Sequence, residues 1–562
     1  MIVEKEPDES DNTLPLPQIR EEAGNKTTIS QTIPGGFGID PFTWHLAAAF
    51  PLPAEGVDAA YVEHHYAWRV RQYCALQSGA EARLYVAVAT DRDGDGDARM
   101  RALMLAAPDM PFEQILHRHK QAWERFWDAS SIALDDTELE SVWYRNRFGY
   151  GCALRPGMTT LGSGGNVVVQ DVIPWHGTCH LNHNFQKWYC TALPTNHAEW
   201  IDIYADFVEN KMPIFEKMAR LIFGLEGVYC DLACLPIMSE KHFDISNMLG
   251  RALALTGWLG QPLWWHFAYT RDRDWLRSRG YPYLKKAAQF YYNYMEIAHG
   301  IDENGEGWVA LDKHWPEKET KVRADTARHS RWGGGGWIVF PGEYVDGDGD
   351  DTLTFALRDM IRRTDLQNPF VSSLTGENMY PGVPIIHPIS SILPAVRLGV
   401  MEHFGAIREI LLSHRLTYGQ FSSYRLSTGD MPPEVLGNSG YLWYDWRSVE
   451  NKYIGVMAAT EMLLQSQGGV IRLFPFWPAD RAAAFDGFLA IGGFFVSAKT
   501  QAGRIHAVIE SRSGERSRVK AAYGNPRVTC DDCGVPFEYE NGIVSFDTVA
   551  GKRYICEFGS GS

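Results

Sequence analysis

Residues 174–190 read PWHGTCHLNHNFQKWYC, a stretch that sets three histidines and two asparagines among aromatic side chains. His176, His180 and His183 would suit metal ligands only on a helix, and Pro174 and Gly177 oppose a helix there. No glutamate stands between them, as the zinc-protease motif would require. If HLNHN is extended instead, His180, Asn182 and Asn184 share one side and Leu181 and His183 the other. A side-chain amide offers donors and an acceptor without charge, so two of them can hold a water or sugar hydroxyls. The segment therefore reads as a ligand-binding loop, with a hydrogen-bonded structural loop and a metal site as the other readings.

The elements that position this segment are mostly helices. PFEQILHRHKQAWERFW starts after Pro111 and carries Ile115, Leu116, Trp123 and Phe126 on one face. Further helices are expected at 137–153, 197–223, 247–269, 350–364, 389–415 and 450–466. In YPYLKKAAQFYYNYMEI the residues Leu284, Ala288, Tyr291 and Met295 form a stripe at helical spacing. Strand patterns flank the helices. Residues 1–56 read as loop or poorly ordered lead-in, and 57–107 as part of a sheet, with EARLYVAVAT followed by a DRDGDGD turn and RMRALMLAA. After 470, RIHAVIES and KRYICEF alternate as strands. The expected division is a partial N-terminal β domain over 1–110, a helical domain over 111–470 and a small C-terminal β domain over 471–562.

The 562 residues hold 53 Lys and Arg against 69 Asp and Glu, a net charge of -16 that disfavours nucleic acid and anionic membranes as partners. A neutral ligand suits this balance and the 19 tryptophans. The pairs Cys230/Cys234 and Cys530/Cys533 have no second pair at zinc-finger spacing. DRDGDGD at 91–97 and DGDGDD at 346–351 imitate a calcium loop, but Ala102 stands where the first would need a bidentate glutamate, so acidic turns are expected. GFLAIGGFFV is too short for a membrane helix. MIVEKEPDESDNT is acidic where a signal peptide would be basic and then apolar.

PWHGTCHLNHNFQKWY resembles the segment of glycoside hydrolase family 95, the inverting α-L-fucosidase family with relatives acting on α-L-galactosides, in which a Trp-His-Gly start leads to two asparagines. GWLGQPLWWHFAYTRDRDWLRSRGYPYLKKAAQFYYNYM and TEMLLQSQGGVIRLFPFWP are similar to its paired barrel helices and to the exit from the barrel. The resemblance covers about 112 to 500 and implies a mainly α fold, an (α/α)6 barrel flanked by a partial N-terminal β domain and a small C-terminal β-sandwich domain. It implies that Asn182 and Asn184 position the attacking water, and that members are often exported.

An inverting glycosidase needs one carboxylic acid and one carboxylate about 6.5 to 9.5 Å apart, on opposite faces of the sugar. By the resemblance, the general acid lies in GWVALDKHWPEKETK as Glu317, with Asp312 or Glu319 as substitutes. The family's base is an Asp before a Gly-Asn-Phe-Gly run, and the corresponding position in WRSVENKYIGVMAATEMLLQS is Glu450, a longer acid without that run, with Asp445 in reserve. His387 in IIHPISSILPAVRLG matches a sugar-contacting histidine of the family, while the Arg and second His of that segment are replaced.

Trp175 and His176, together with His180, His314 and Trp315, are expected around the sugar, since ring faces stack on the apolar faces of pyranoses. Trp332 and Trp337, which bracket the GGGG of RWGGGGWIV, complete the expected lining. The implied function is release of a terminal α-L-fucosyl or similar α-L-sugar from an oligo- or polysaccharide, with no cofactor and no metal. The alternatives are another (α/α)6 glycosidase or phosphorylase, or a catalytically silent sugar-binding protein.

Overall fold

The structure is a computed structural model that describes residues 15, 17–22, 26–35, 40–49, 54–62, 67–74, 78–79, 83–107, 110–162, 178–182, 184–237, 253–301, 307–309, 348–349, 352–363, 392–413 and 452–559. The chain divides into two compact units, one of residues 1–126, 161–180 and 233–250, the other of 127–160, 181–232 and 251–562.

The first unit contains an antiparallel four-stranded sheet in the order Gln18–Glu22, Lys26–Ile33, Phe42–Ala49, Tyr85–Thr90. Three of these strands lie where the sequence reads as lead-in loop. KTTISQTI and FTWHLAAA supply β-branched and aromatic residues but no strict apolar–polar alternation, which hides strands that pairing with their neighbours stabilises. RMRALMLAA is likewise not sheet but most of the helix Gly96–Ala106. Asp95 caps it, accepting from the Ala98 N–H at 2.9 Å, and the Arg, Leu, Met and Ala that follow are good helix formers. Met100 and Met104 of this helix bury against Ala47, Ala87 and Ala89, whose small side chains let it approach the sheet. The acidic turn at 91–97 is spent on local bonds, with Asp91 accepting from the Gly96 N–H at 3.2 Å and lying 3.1 Å from His45. A Cβ on Gly96 would stand 2.6 Å from the Thr90 carbonyl carbon, so this close approach requires glycine. A second hairpin pairs Ala54–Val62 with Ala67–Cys74. The helix Phe112–Asp128 begins after Pro111 as expected, but Ile115 is exposed and none of its residues is fully buried.

The described residues of the second unit are mainly helical up to Leu463 and mainly strands after it. Helix Thr137–Ala153 is capped by Asp136, which accepts from the Leu139 N–H at 3.2 Å, and it packs on helix Tyr453–Leu463, where the Trp143 Nε1–H donates to Thr460 Oγ1 at 3.0 Å. Helix Ile392–Arg397 fastens to the same helix through a buried bidentate pair, Arg397 donating to Glu461 at 2.8 and 3.1 Å. The single helix expected at 389–415 is two, Ile392–Arg397 and Phe404–Ser413, because Gly399 turns left-handed at φ 67° and ends the first.

Helices Trp200–Phe223, Ala254–Thr270 and Tyr281–Ala298 pack together. The Tyr204 hydroxyl donates to Leu259 O at 2.7 Å and the Tyr283 hydroxyl to Thr256 O at 2.9 Å. Tyr283, Ala287 and Phe290 form the buried stripe of the last helix, while Ala288 and Met295 are exposed. The expected stripe is thus one position late. Both rows have helical spacing, and the larger rings win because Phe290 packs on Phe223 and Tyr229. Thr352–Arg362 is a further helix.

The end of the chain forms two sheets. One has seven strands in the order Cys533–Gly534, Arg527–Cys530, Arg553–Gly559, Arg504–Ser511, Phe494–Gln501, Ala483–Ala490, Ser131–Leu134. The other runs Leu464–Gln465, Ile471–Leu473, Ser517–Ala521, Ile543–Phe546, Glu538–Glu540. Phe546 of one packs on Tyr554 of the other at 5.3 Å. In DGDGDD, Asp348 pairs with Arg472 at 2.6 Å and Lys520 at 2.5 Å. Burial pushes its carboxyl up, but those two cations outweigh burial and hold it below the usual carboxylate range. Among the described residues no group of three or more His, Cys, Asp or Glu could hold a metal ion, and no helix is long and apolar enough to cross a membrane.

Candidate functional site

The segment that carries the paired asparagines is shaped by three successive devices. Cys179–His180 is a two-residue strand in the first unit, antiparallel to Ala233–Cys234. The second unit takes up the chain at Leu181, whose N–H donates to Leu232 O at 2.7 Å. Leu181 and Asn182 then form a turn, and Asn184 opens a four-residue helix ending at Lys187. The extended backbone expected from HLNHN therefore stops at His180. Side-chain alternation does not bring Asn182 and Asn184 to one side; any convergence must come from the turn and the helix.

Gln186 closes this arrangement. Its Nε2–H donates to the Leu181 carbonyl at 2.8 Å, so the peptide leading into Asn182 is held from the helix that follows. Beneath it lies a dense aromatic floor. Phe185 stacks on Tyr204 at 4.7 Å and meets Phe207 at 4.4 Å, Tyr189 meets Tyr204 at 5.0 Å, and the Thr160 and Tyr189 hydroxyls are 2.6 Å apart. Trp188 and Tyr189 are buried to 1% exposure. These rings are core that fixes the loop and are not a surface for stacking on a sugar.

Asn184 is itself buried, at 9% exposure, and His180 is half-buried. Asn182 is half-buried, yet its Oδ1 is buried without a hydrogen-bond partner. A buried carbonyl oxygen left unmatched costs about 1–3 kcal/mol, so a folded protein rarely keeps one without reason. An acceptor held ready for a water or a ligand hydroxyl is such a reason. Gln186 Oε1 is a second buried and unmatched amide oxygen in the same short segment.

Glu317, Glu450, Trp175, His176 and His183 lie outside the described residues, as do His314, Trp315, Trp332, Trp337 and His387. Asp312, Glu319 and Asp445 lie outside them as well. Of the described acids, Glu461 is fully engaged, taking both Arg397 contacts and the Gln467 amide at 3.3 Å, and so serves the fold. Sequence reasoning had no signal for that pair, because Arg397 and Glu461 stand on helices brought together only by packing. Another buried pair, Arg147 with His197 at 2.9 Å, has the same origin. Burial pushes Arg147 down to about 9 and holds His197 below its ordinary value.

Comparison with known proteins gives the segment its context. The sequence model described as the Glycosyl hydrolase family 95 catalytic domain matches residues 111–332, and that of the Glycoside hydrolase family 95 C-terminal domain matches 465–556. The two matches come in order and together take in more than half of the chain. The chain belongs to glycoside hydrolase family 95. The catalytic-domain match of this family 95 chain includes Asn182, Asn184 and Glu317, and Glu450 falls between the two matches.

A protein of Arabidopsis thaliana named Alpha-L-fucosidase 2 is 28% identical over 123 residues, 22% of this chain and 14% of that protein. One of Aspergillus niger named Probable alpha-fucosidase A is 27% identical over 118 residues, 21% of this chain and 15% of that protein. The chain thus aligns with about one seventh of either relative's length. Among solved structures, a kojibiose phosphorylase candidate from the human microbiome superposes with a TM-score of 0.50 at 11% identity, covering 96% of this chain and 75% of that one, a likeness of fold alone.

Proposed function

We propose that this family 95 chain is an inverting glycoside hydrolase that releases a terminal α-L-fucosyl or closely related α-L-sugar from an oligo- or polysaccharide. The observation that carries the reading is the family match over the asparagine segment, together with the unmatched, buried Oδ1 of Asn182 inside it. Both relatives' names point to fucosides. In this reading the helices of 111–470 close into an (α/α)6 barrel between an N-terminal β domain over 1–110 and a C-terminal β domain over 471–562. Glu317 protonates the leaving oxygen, and Glu450 takes a proton from a water on the opposite face of the sugar. Asn182 and Asn184 hold that water. Neutral amides suit this task because they fix a hydrogen-bond geometry without shifting the base beside them. His176, His180, His314 and His387 bond the sugar hydroxyls, while Trp175, Trp315, Trp332 and Trp337 cover its apolar faces. General acid and base catalysis need no cofactor, and the substrate is a carbohydrate, with nucleic acid and membranes playing no part.

The test offers aryl α-L-fucoside, α-L-galactoside and α-L-rhamnoside to the purified chain with and without inorganic phosphate, reading released sugar. Fucoside or galactoside is cleaved without phosphate, and Glu317→Gln and Glu450→Gln each lower kcat by about 10²–10⁴-fold. A phosphate requirement makes the protein a phosphorylase, and sugar binding without turnover makes it a silent binder. Either result overturns the reading.

A further inference from the structure

Far along the chain from the asparagine segment, strands Arg527–Cys530 and Cys533–Gly534 form a hairpin joined by Asp531 and Asp532. Both aspartates have positive φ, 49° and 63°, as a two-residue type I′ turn requires of its central pair. Asp531 is tied to Lys552 at 2.7 Å, which steadies the turn. The register sets Cys530 directly opposite Cys533 and Thr529 opposite Gly534. One step further, the Val535 N–H donates to Val528 O at 2.9 Å. Hydrogen-bonded and non-bonded pairs alternate along an antiparallel ladder, so Cys530 and Cys533 fall at a hydrogen-bonded position. Side chains of such a pair leave the same face of the sheet. Their Cα atoms lie about 5.5 Å apart, inside the range of about 4.4–6.8 Å that a disulfide spans. Cys533 is exposed and Cys530 half-buried, so a small oxidant reaches them without unfolding the sheet.

We propose that Cys530 and Cys533 are a redox-modification site, which closes to an intrachain disulfide on meeting a small-molecule disulfide of the glutathione class. The exposed Cys533 thiolate attacks one sulfur of oxidised glutathione, forming a mixed disulfide and expelling one glutathione thiolate. The Cys530 thiolate then attacks Cys533 Sγ, the protein disulfide forms, and the second glutathione leaves. Two electrons pass from the protein to the oxidant, and the two thiol protons end on the two released glutathiones. Burial, with the Asp531 carboxylate beside it, holds the Cys530 thiol above its ordinary value, so the second step quickens as pH rises. Cys556 on the neighbouring strand does not compete, since full burial pushes its thiol up to about 12. An exposed disulfide closing so short a loop is readily reduced, and excess reduced glutathione opens it again.

The experiment incubates the chain in glutathione buffers of graded oxidised-to-reduced ratio, quenches with acid, alkylates, digests with trypsin and weighs the peptides. No Lys or Arg lies between Val528 and Lys552, so both cysteines fall in the single peptide 528–552. With oxidised glutathione in excess, that peptide is two hydrogens lighter than its dithiol form and takes up no alkyl group. Reduced glutathione restores the doubly alkylated form. Cys530→Ser leaves Cys533 carrying glutathione, which shows that the resolving thiol has been lost. A peptide that stays doubly alkylated at every ratio, or that carries two glutathionyl groups, overturns the proposal.

Discussion

Replacing Asn182 by leucine, a side chain of nearly the same shape, separates stability from chemistry. The Oδ1 atom is buried and unmatched, so the resting protein bears a desolvation cost of about 1–3 kcal/mol that leucine removes. If the same atom accepts a hydrogen bond from the attacking water, its loss raises the barrier by a similar amount. At about 1.4 kcal/mol per tenfold, kcat/KM falls by roughly 5- to 150-fold. The variant is therefore expected to melt no lower than the parent while losing one to two orders of magnitude in activity. Thermal unfolding followed by circular dichroism supplies the first quantity, and initial rates on an aryl α-L-fucoside supply the second. A variant destabilised by more than about 1 kcal/mol with kcat/KM within twofold of the parent refutes the reasoning. It would mean that Asn182 works for the fold and leaves the water alone.

Three further outcomes follow from the packing. Arg397→Met strips the guanidinium from buried Glu461 and costs about 3–5 kcal/mol, whereas Arg397→Met with Glu461→Leu recovers most of it, measured by urea unfolding as a double-mutant cycle. His266 stacks on Trp275 at 3.8 Å, and burial, against the pull of Asp202 and Asp272, lowers its pKa from 6.5 to about 4. The unfolded chain then takes up the proton first, so stability of about 3 kcal/mol is present above pH 6.5 and drains as pH falls toward 4; in His266→Gln the urea midpoint shows a flatter slope over that window. A Cβ on Gly227, at φ 114°, would lie 2.6 Å from both Lys286 O and Phe290 N, so Gly227→Ala costs about 3 kcal/mol, seen as a lower thermal midpoint.

The sequence made the helices legible where local signals agreed. Helix Thr137–Ala153 has its Asp136 cap, and Tyr453–Leu463 opens on the nearly unbroken apolar run YIGVMAA. It misled where two local patterns fit equally well. Leu284, Ala288, Tyr291 and Met295 have the same spacing as the buried Tyr283, Ala287 and Phe290, and only the neighbouring rings of Phe223 and Tyr229 decide between the rows. Strands that depend on distant partners were harder still. Ser131–Leu134 pairs with residues 483–486, and nothing near position 131 announces it. At the site, the residue types of HLNHN were readable, but its geometry was not, because the turn at Leu181–Asn182 is set by Leu232 and Gln186 and not by alternation. The carboxylates Glu317 and Glu450 rest on resemblance, since neither has a local pattern that separates it from an ordinary solvated acid.

The central claim, that a water activated on the far face of an α-L-sugar displaces the aglycone, is tested most directly by proton NMR of the first minutes of aryl α-L-fucoside hydrolysis. The account predicts that β-L-fucose appears first and mutarotates only later to the α anomer. First appearance of α-L-fucose, or of a sugar phosphate, contradicts it.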